Sequence, residues 1–122
     1  MPIIDVELVC ESESELKDVS AQELADVLGG VMGTEPGRTW VRLRYLDARH
    51  YAENGSEVER SERPAFVAIW RAHPPAATAL AEETAAVTRA VGRIIGRDPS
   101  RVHVRYAPAA AGRQAFGGKM VK

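Results

Sequence analysis

Pro2 is the residue whose position suggests the least ordinary chemistry. A small second side chain permits removal of the preceding methionine. Loss of Met1 would leave Pro2 with a free secondary amine, which no other residue of the chain can offer. An α-amino group titrates near about pH 8, and burial or a nearby cation lowers that value by penalising the protonated form. A neutral amine near pH 7 is a competent general base. A plainer reading stands beside this one and outweighs it on this residue alone: a proline that begins an edge strand, where no N–H is missed.

Other reactive side chains give weaker signals. His103 and Arg105 are two apart in Val102-His103-Val104-Arg105-Tyr106, so on a strand they share a face. His50 and His73 fall in turn-rich stretches, where lone histidines are usually solvated. The three histidines lack metal-ligand spacing, and no Ser/His/Asp or Cys/His signature stands out. The single Cys10 excludes an internal disulfide and reads as a small buried strand residue. Gly117-Gly118 lacks the lysine and helix start of a phosphate loop and suits a turn between strand pieces.

The chain of 122 residues suits one domain. Its net charge of −1 gives no bulk electrostatic case for nucleic acid. No run is apolar enough to span a membrane and no signal segment precedes the first strand, so a cytoplasmic location is the expectation. Up to Glu35 the chain is acidic, with Lys17 its only cation; from Arg38 onward arginine dominates, a residue suited to fixed recognition of carboxylate or phosphate.

The elements that must position these residues come twice. Ile4, Val6 and Leu8 alternate with Asp5 and Glu7 as in a half-buried strand. Ser20-Ala21-Gln22-Glu23 caps a helix carrying Leu24, Val27, Leu28 and Val31, and Gly33 closes it. Gly29-Gly30 weakens that helix, and close packing on a sheet is one reason to tolerate the pair. Thr39 to Leu46 forms a strand with Trp40, Arg42 and Arg44 on one face. A third strand runs from Pro64 to Arg71, a helix from Ala76 to Ile95, and a fourth strand from Val102 to Tyr106. Gly33 to Arg38 (GTEPGR) parallels Gly96 to Arg101 (GRDPSR), and Tyr51 with Gly55 parallels Phe116 with Gly118. The expectation is an α+β fold: two β-α-β repeats, residues 1–58 and 62–122, forming one four-stranded mixed sheet with both helices on one face. The bare face is expected to meet other subunits.

With MPII at the start, the doubled β-α-β, SERPAF at Ser61 to Phe66, and DPSRVHVRY with AFGG at the end, nearly the whole chain resembles the tautomerase superfamily. This group includes 4-oxalocrotonate tautomerase and macrophage migration inhibitory factor. The length resembles members built from two fused repeats, so the resemblance implies a homotrimer whose subunits share sites. It also implies no cofactor and no metal, and a small carboxylate substrate. Pro2 falls on the family's N-terminal proline, a general base or acid. Pro64 opens the second repeat with its nitrogen locked in an amide, so one site per chain can work. His103 and Arg105 fall where two-repeat relatives place polar groups that reach a neighbouring subunit's proline. Arg105 would pair with a substrate carboxylate and His103 would hydrogen-bond an enol or keto oxygen. Trp70, Arg71, Phe116 and Arg38 fall at pocket positions. Trp40, Arg42 and Arg44 are expected at the inactive counterpart or the subunit interface.

Two departures narrow the activity. Cys10-Glu11-Ser12 stands where single-repeat tautomerases carry an arginine, which counts against a dicarboxylate substrate. Arg71 is followed by Ala72-His73-Pro74 rather than a second arginine, which counts against dehalogenation and decarboxylation. The favoured reading is an isomerase moving a proton between enol and keto forms of a small 2-oxo acid. The alternatives are a non-catalytic binding trimer of the same fold and a hydratase or dehalogenase of 3-haloacrylate-type acids.

Overall fold

The computed structural model describes residues 1–122. Strand β1 (Ile3–Cys10) leads through a 3-10 turn to helix α1 (Ala21–Met32), which returns the chain to β2 (Trp40–Asp47). Strand β3 (Ala65–Trp70), helix α2 (Ala77–Ile95) and β4 (Val102–Tyr106) repeat the pattern. A crossover helix makes the strands it joins parallel, and β1 pairs parallel with β2 as β3 does with β4. The two units meet through antiparallel β1 and β3, giving the order β2-β1-β3-β4. The mixed sheet of two β-α-β units is therefore as expected.

One consequence alters the plainer reading of Pro2. β1 is paired on both sides and is not an edge strand. Pro2 stands one residue before the first paired position, where a missing N–H breaks no ladder bond, and its carbonyl accepts from Trp40 N at 3.1 Å.

Period-two alternation sends Ile4, Val6 and Leu8 of β1 and Val67 and Ile69 of β3 to one face, where α1 supplies Leu24 and Leu28 and α2 supplies Val87 and Val91. These side chains are buried and form one continuous core drawn from both halves. Burying each contributes about 1.5–3 kcal/mol. Ser20 Oγ accepts from Glu23 N at 3.0 Å at the start of α1, and Gly33 ends it in the left-handed region, φ 66°. The glycine pair of α1 divides in role. A Cβ on Gly29 would lie 3.3 Å from Thr34 Oγ1, whereas one on Gly30 would meet nothing within 4 Å. Close packing thus accounts for Gly29, against the loop leading into β2, and not for Gly30.

Cys10 ends β1 in the interior, where burial raises its thiol pKa. The half-buried Arg97 guanidinium donates to Arg63 O and to Val9 O, fastening the far end of the β1–β3 pair. After β4 the chain makes a small hairpin, β5 (Ala115–Phe116) and β6 (Lys119–Met120), through Gly117 and Gly118 at φ 57° and 85°. Two consecutive positive φ angles need glycine at little cost, and they suit the twist of a two-residue hairpin. The first half ends in a smaller echo, the isolated bridge Glu53–Ser56. No helix is long and apolar enough to cross a membrane.

Candidate active site

Topology brings the start of β2 and the end of β3 to the end of the sheet that carries Pro2. Because β2 runs parallel to β1, its first residue Trp40 lies level with Ile3; because β3 runs antiparallel, its last residue Trp70 does too. Arg38 and Arg71, just outside those strands, therefore stand at the proline end. Pro2 itself is fully buried. The Arg38 guanidinium donates to Met1 Sδ at 3.2 Å and has no carboxylate partner. The β5–β6 hairpin folds back so that Phe116 meets Trp40 edge to face, with centroids 4.8 Å apart and planes at 86°. Trp40 Nε1 is satisfied by Gly37 O at 2.9 Å. The proline end of the sheet thus carries Arg38, paired with no carboxylate, and an aromatic pair that alternation places on the bare face with Arg42, opposite the side of Pro2.

Arg71 differs from Arg38. Its guanidinium forms a salt bridge with Glu83 of α2, and the Tyr106 hydroxyl donates to the same carboxylate. The Arg71 and Glu83 side chains are only 18% and 9% exposed. Burial, then the bond to Glu83, pushes the Tyr106 phenol up to about 12. Parity along β1 and β3 puts Pro2 and Arg71 on the helix-covered side with Ile4 and Ile69.

His103 and Arg105 lie elsewhere, on the bare face of β4. They line a depression of about 330 Å³ with Asp5, Glu7, Arg44 and Phe66. Arg105 is level with Ala68 and, across β3, with Asp5; His103 is level with Glu7. Strand spacing and rise put their Cα atoms about 14 Å and about 19 Å from Pro2. Within one subunit these groups do not meet the proline. His103 instead lies 5.6 Å from the Phe66 ring, itself 5.9 Å from Tyr51. Arg42 grips the buried Asp5 carboxylate with two bonds, at 2.5 and 2.7 Å, and Arg44 reaches Glu7 at 3.3 Å. Arg105 has no such partner.

The repeat makes an internal comparison possible. Arg101 is the counterpart of Arg38, yet it is salt-bridged to Glu53, which Tyr51 also bonds at 2.7 Å. Arg101 of the second repeat is thus neutralised by a glutamate of the first, whereas its counterpart Arg38 is left free. A larger depression, about 540 Å³, lies beyond the far end of β1 among Glu15, Glu59, Arg60, Arg63 and Arg97, with no apolar lining. Its ions largely pair with one another, as Arg60 does with Glu11 and Glu15.

Sequence reasoning assigned Trp40 to the counterpart site or the interface and did not single out Glu83. Trp40 begins β2 level with Ile3, and alternation keeps its side chain on the bare face with Arg42 and Arg44. For Glu83 the signal was its place one helical turn after Leu80, on the stripe that faces the sheet.

No protein-family model matches the sequence, and no curated protein matches it. Solved structures do. A macrophage migration inhibitory factor homologue from Prochlorococcus marinus superposes with TM-score 0.74 at 13% identity, covering 98% of this chain and 99% of that one. A fused 4-OT, solved as a symmetric trimer, gives 0.72 at 16% identity over 98% and 94%. A malonate semialdehyde decarboxylase inhibited by 3-bromopropiolate gives 0.67 at 18% identity over 94% and 90%. With two β-α-β units in one mixed sheet and end-to-end superposition on these proteins, the chain adopts the fold that the macrophage migration inhibitory factor homologue, the fused 4-OT and the decarboxylase share.

Proposed function

We propose that the chain is a cofactor-free tautomerase acting on a small 2-oxo acid, with the Pro2 amine as base and acid. The observation that carries this reading is a buried Pro2 whose preceding residue, Met1, is held by Arg38, an arginine without a carboxylate partner, at the end of the sheet where Trp40 meets Phe116. In this account Met1 is absent from the working enzyme. Arg38 holds the substrate carboxylate, and Trp40, Trp70 and Phe116 exclude water, which strengthens the electrostatics of the site. The neutral amine takes a proton from the carbon next to the carbonyl. The C–H electron pair forms a new C=C bond, and the carbonyl π pair moves to oxygen. The ammonium then returns the proton at another carbon, or to the enolate oxygen.

The developing enolate needs donors, and a single subunit supplies none from β4. The proposal therefore includes a homotrimer in which His103 and Arg105 of a neighbouring subunit face Pro2. The 4-OT neighbours solved as trimers support that assembly. Unpaired Arg105 on the bare sheet face is consistent with it.

Co-expression tests both parts together. A Pro2→Ala subunit and a His103→Ala/Arg105→Ala subunit are each expected to be inactive in turnover of phenylenolpyruvate or 2-hydroxymuconate. Mixed trimers are expected to regain a fraction of wild-type activity, since some interfaces then unite an intact proline with intact donors. No recovery with assembled mixed trimers would overturn the shared site. Full activity of a homotrimer that retains Met1 would overturn the amine, and full activity of Pro2→Ala would show that the proline ring is dispensable.

A further inference from the structure

We propose that Glu83 limits the number of carboxylates the proline site accepts, by holding the charge of Arg71; this rests on the tautomerase reading above. Two arginines stand at the end of the sheet that carries Pro2. One, Arg38, has a thioether as its only side-chain partner. The other, Arg71, is salt-bridged by Glu83 from the helix above, and Tyr106 donates to the second oxygen of that carboxylate. All three side chains are largely shielded, and the level of Arg71 on β3 is one residue beyond the Ile3–Trp70 pair, hence that of Pro2. A guanidinium there would be a second carboxylate clamp if it were free. Glu83 makes it neutral as a pair.

The arrangement has the features of a fixed neutraliser rather than a loose surface pair. Glu83 is more buried than Arg71 and is held from two sides, so its carboxylate does not swing away when an anion approaches. A substrate carboxylate would have to displace a charge-assisted bond inside the protein to reach Arg71. The proline end of the sheet is left with one free cation, Arg38, which favours a substrate with one carboxylate.

The test uses binding, which does not depend on turnover, with protein whose free Pro2 has been verified by intact mass. Fumarate serves as the dicarboxylate and crotonate as the monocarboxylate, each titrated by calorimetry. Glu83→Gln keeps the shape and the acceptor for Tyr106 and removes the charge. It is expected to improve fumarate affinity relative to crotonate by about tenfold, the scale of one charge-assisted hydrogen bond. Arg71→Met/Glu83→Gln removes both charges and is expected to restore the wild-type ratio. An unchanged ratio in Glu83→Gln would overturn the inference and mark the pair as a fastener of α2 to the sheet. So would a double variant whose ratio falls below wild type, since Arg71 would then already serve carboxylates. The double variant keeps the inference falsifiable if Glu83→Gln alone does not fold, because a ratio below wild type would still overturn it and an ion pair replaced as a unit is generally tolerated. Failure of turnover with the binding pattern intact would remove the tautomerase reading and leave the role of Glu83.

Discussion

Arg38 reaches across 37 positions of sequence to donate a hydrogen bond to Met1 Sδ at 3.2 Å. The partner it has chosen is a weak acceptor at the very position that processing would vacate. Its repeat mate Arg101 instead holds Glu53. The first repeat therefore keeps a cation with unspent donors beside Pro2, and the second does not. On the tautomerase account, Arg38→Met raises KM for a 2-oxo acid about tenfold while kcat changes less, since the lost bond is present in both ground and transition states. Steady-state kinetics on processed protein would check this.

Trp40 and Phe116 join the first repeat to the C-terminal hairpin through one edge-to-face contact. A double-mutant cycle with Trp40→Leu and Phe116→Leu is expected to give a coupling energy of about 0.5–1.5 kcal/mol in urea unfolding. Additive effects would mean that the hairpin is held to the rest of the fold by other bonds, such as that between His73 Nε2 and Lys122 O at 2.8 Å.

Two helix glycines should respond in opposite directions. Gly30 in α1 has open space where a Cβ would go, so Gly30→Ala is expected to add about 0.5–1 kcal/mol of stability. Gly92 in α2 is buried, and a Cβ there would sit 2.8 Å from Arg97 O, a backbone atom that cannot swing aside. Gly92→Ala is expected to cost about 1–3 kcal/mol. Thermal melts of the two variants distinguish these signs directly.

Tyr106 gives a pH signature. Its phenol is held up to about 12 against an ordinary value of 10.0, by burial first and by Glu83 second. The folded state thus retains a proton that the unfolded chain gives up earlier. The stability this contributes is complete below the ordinary value and disappears as pH rises through the folded one. Stability should fall more steeply between these values in wild type than in Tyr106→Phe, and tyrosinate absorbance should lose its highest-pH step in the variant.

Much of this architecture was legible in the residues themselves. Alternation in Ile4, Val6 and Leu8, the Ser20 cap and the recurrence of GTEPGR as GRDPSR fixed strands, helices and their duplication, because local periodicity is decided by which face is buried. The antiparallel joining of the two units was less local. It depends on how β1 meets β3 across some sixty residues of chain, and with it went the choice of neighbours for Pro2. That Trp40 stands level with Ile3 follows only from the β1–β2 register, while the face it shares with Arg42 and Arg44 follows from their spacing. The role of Glu83 is not legible in the sequence, because a carboxylate on an otherwise apolar helix stripe gives no sign of which arginine it will find. His103 and Arg105 were correctly read as sharing a face with each other, but their distance from Pro2 follows only from the strand order.

The most direct test compares two forms of one preparation, with Met1 retained and with Met1 removed, separated and verified by intact mass. Enol-to-keto conversion of phenylenolpyruvate is followed for each at equal subunit concentration. The account predicts that turnover resides in the form with the free Pro2 amine and is lost in the Met1-bearing form, where that nitrogen is an amide. Equal turnover in the two forms would contradict it.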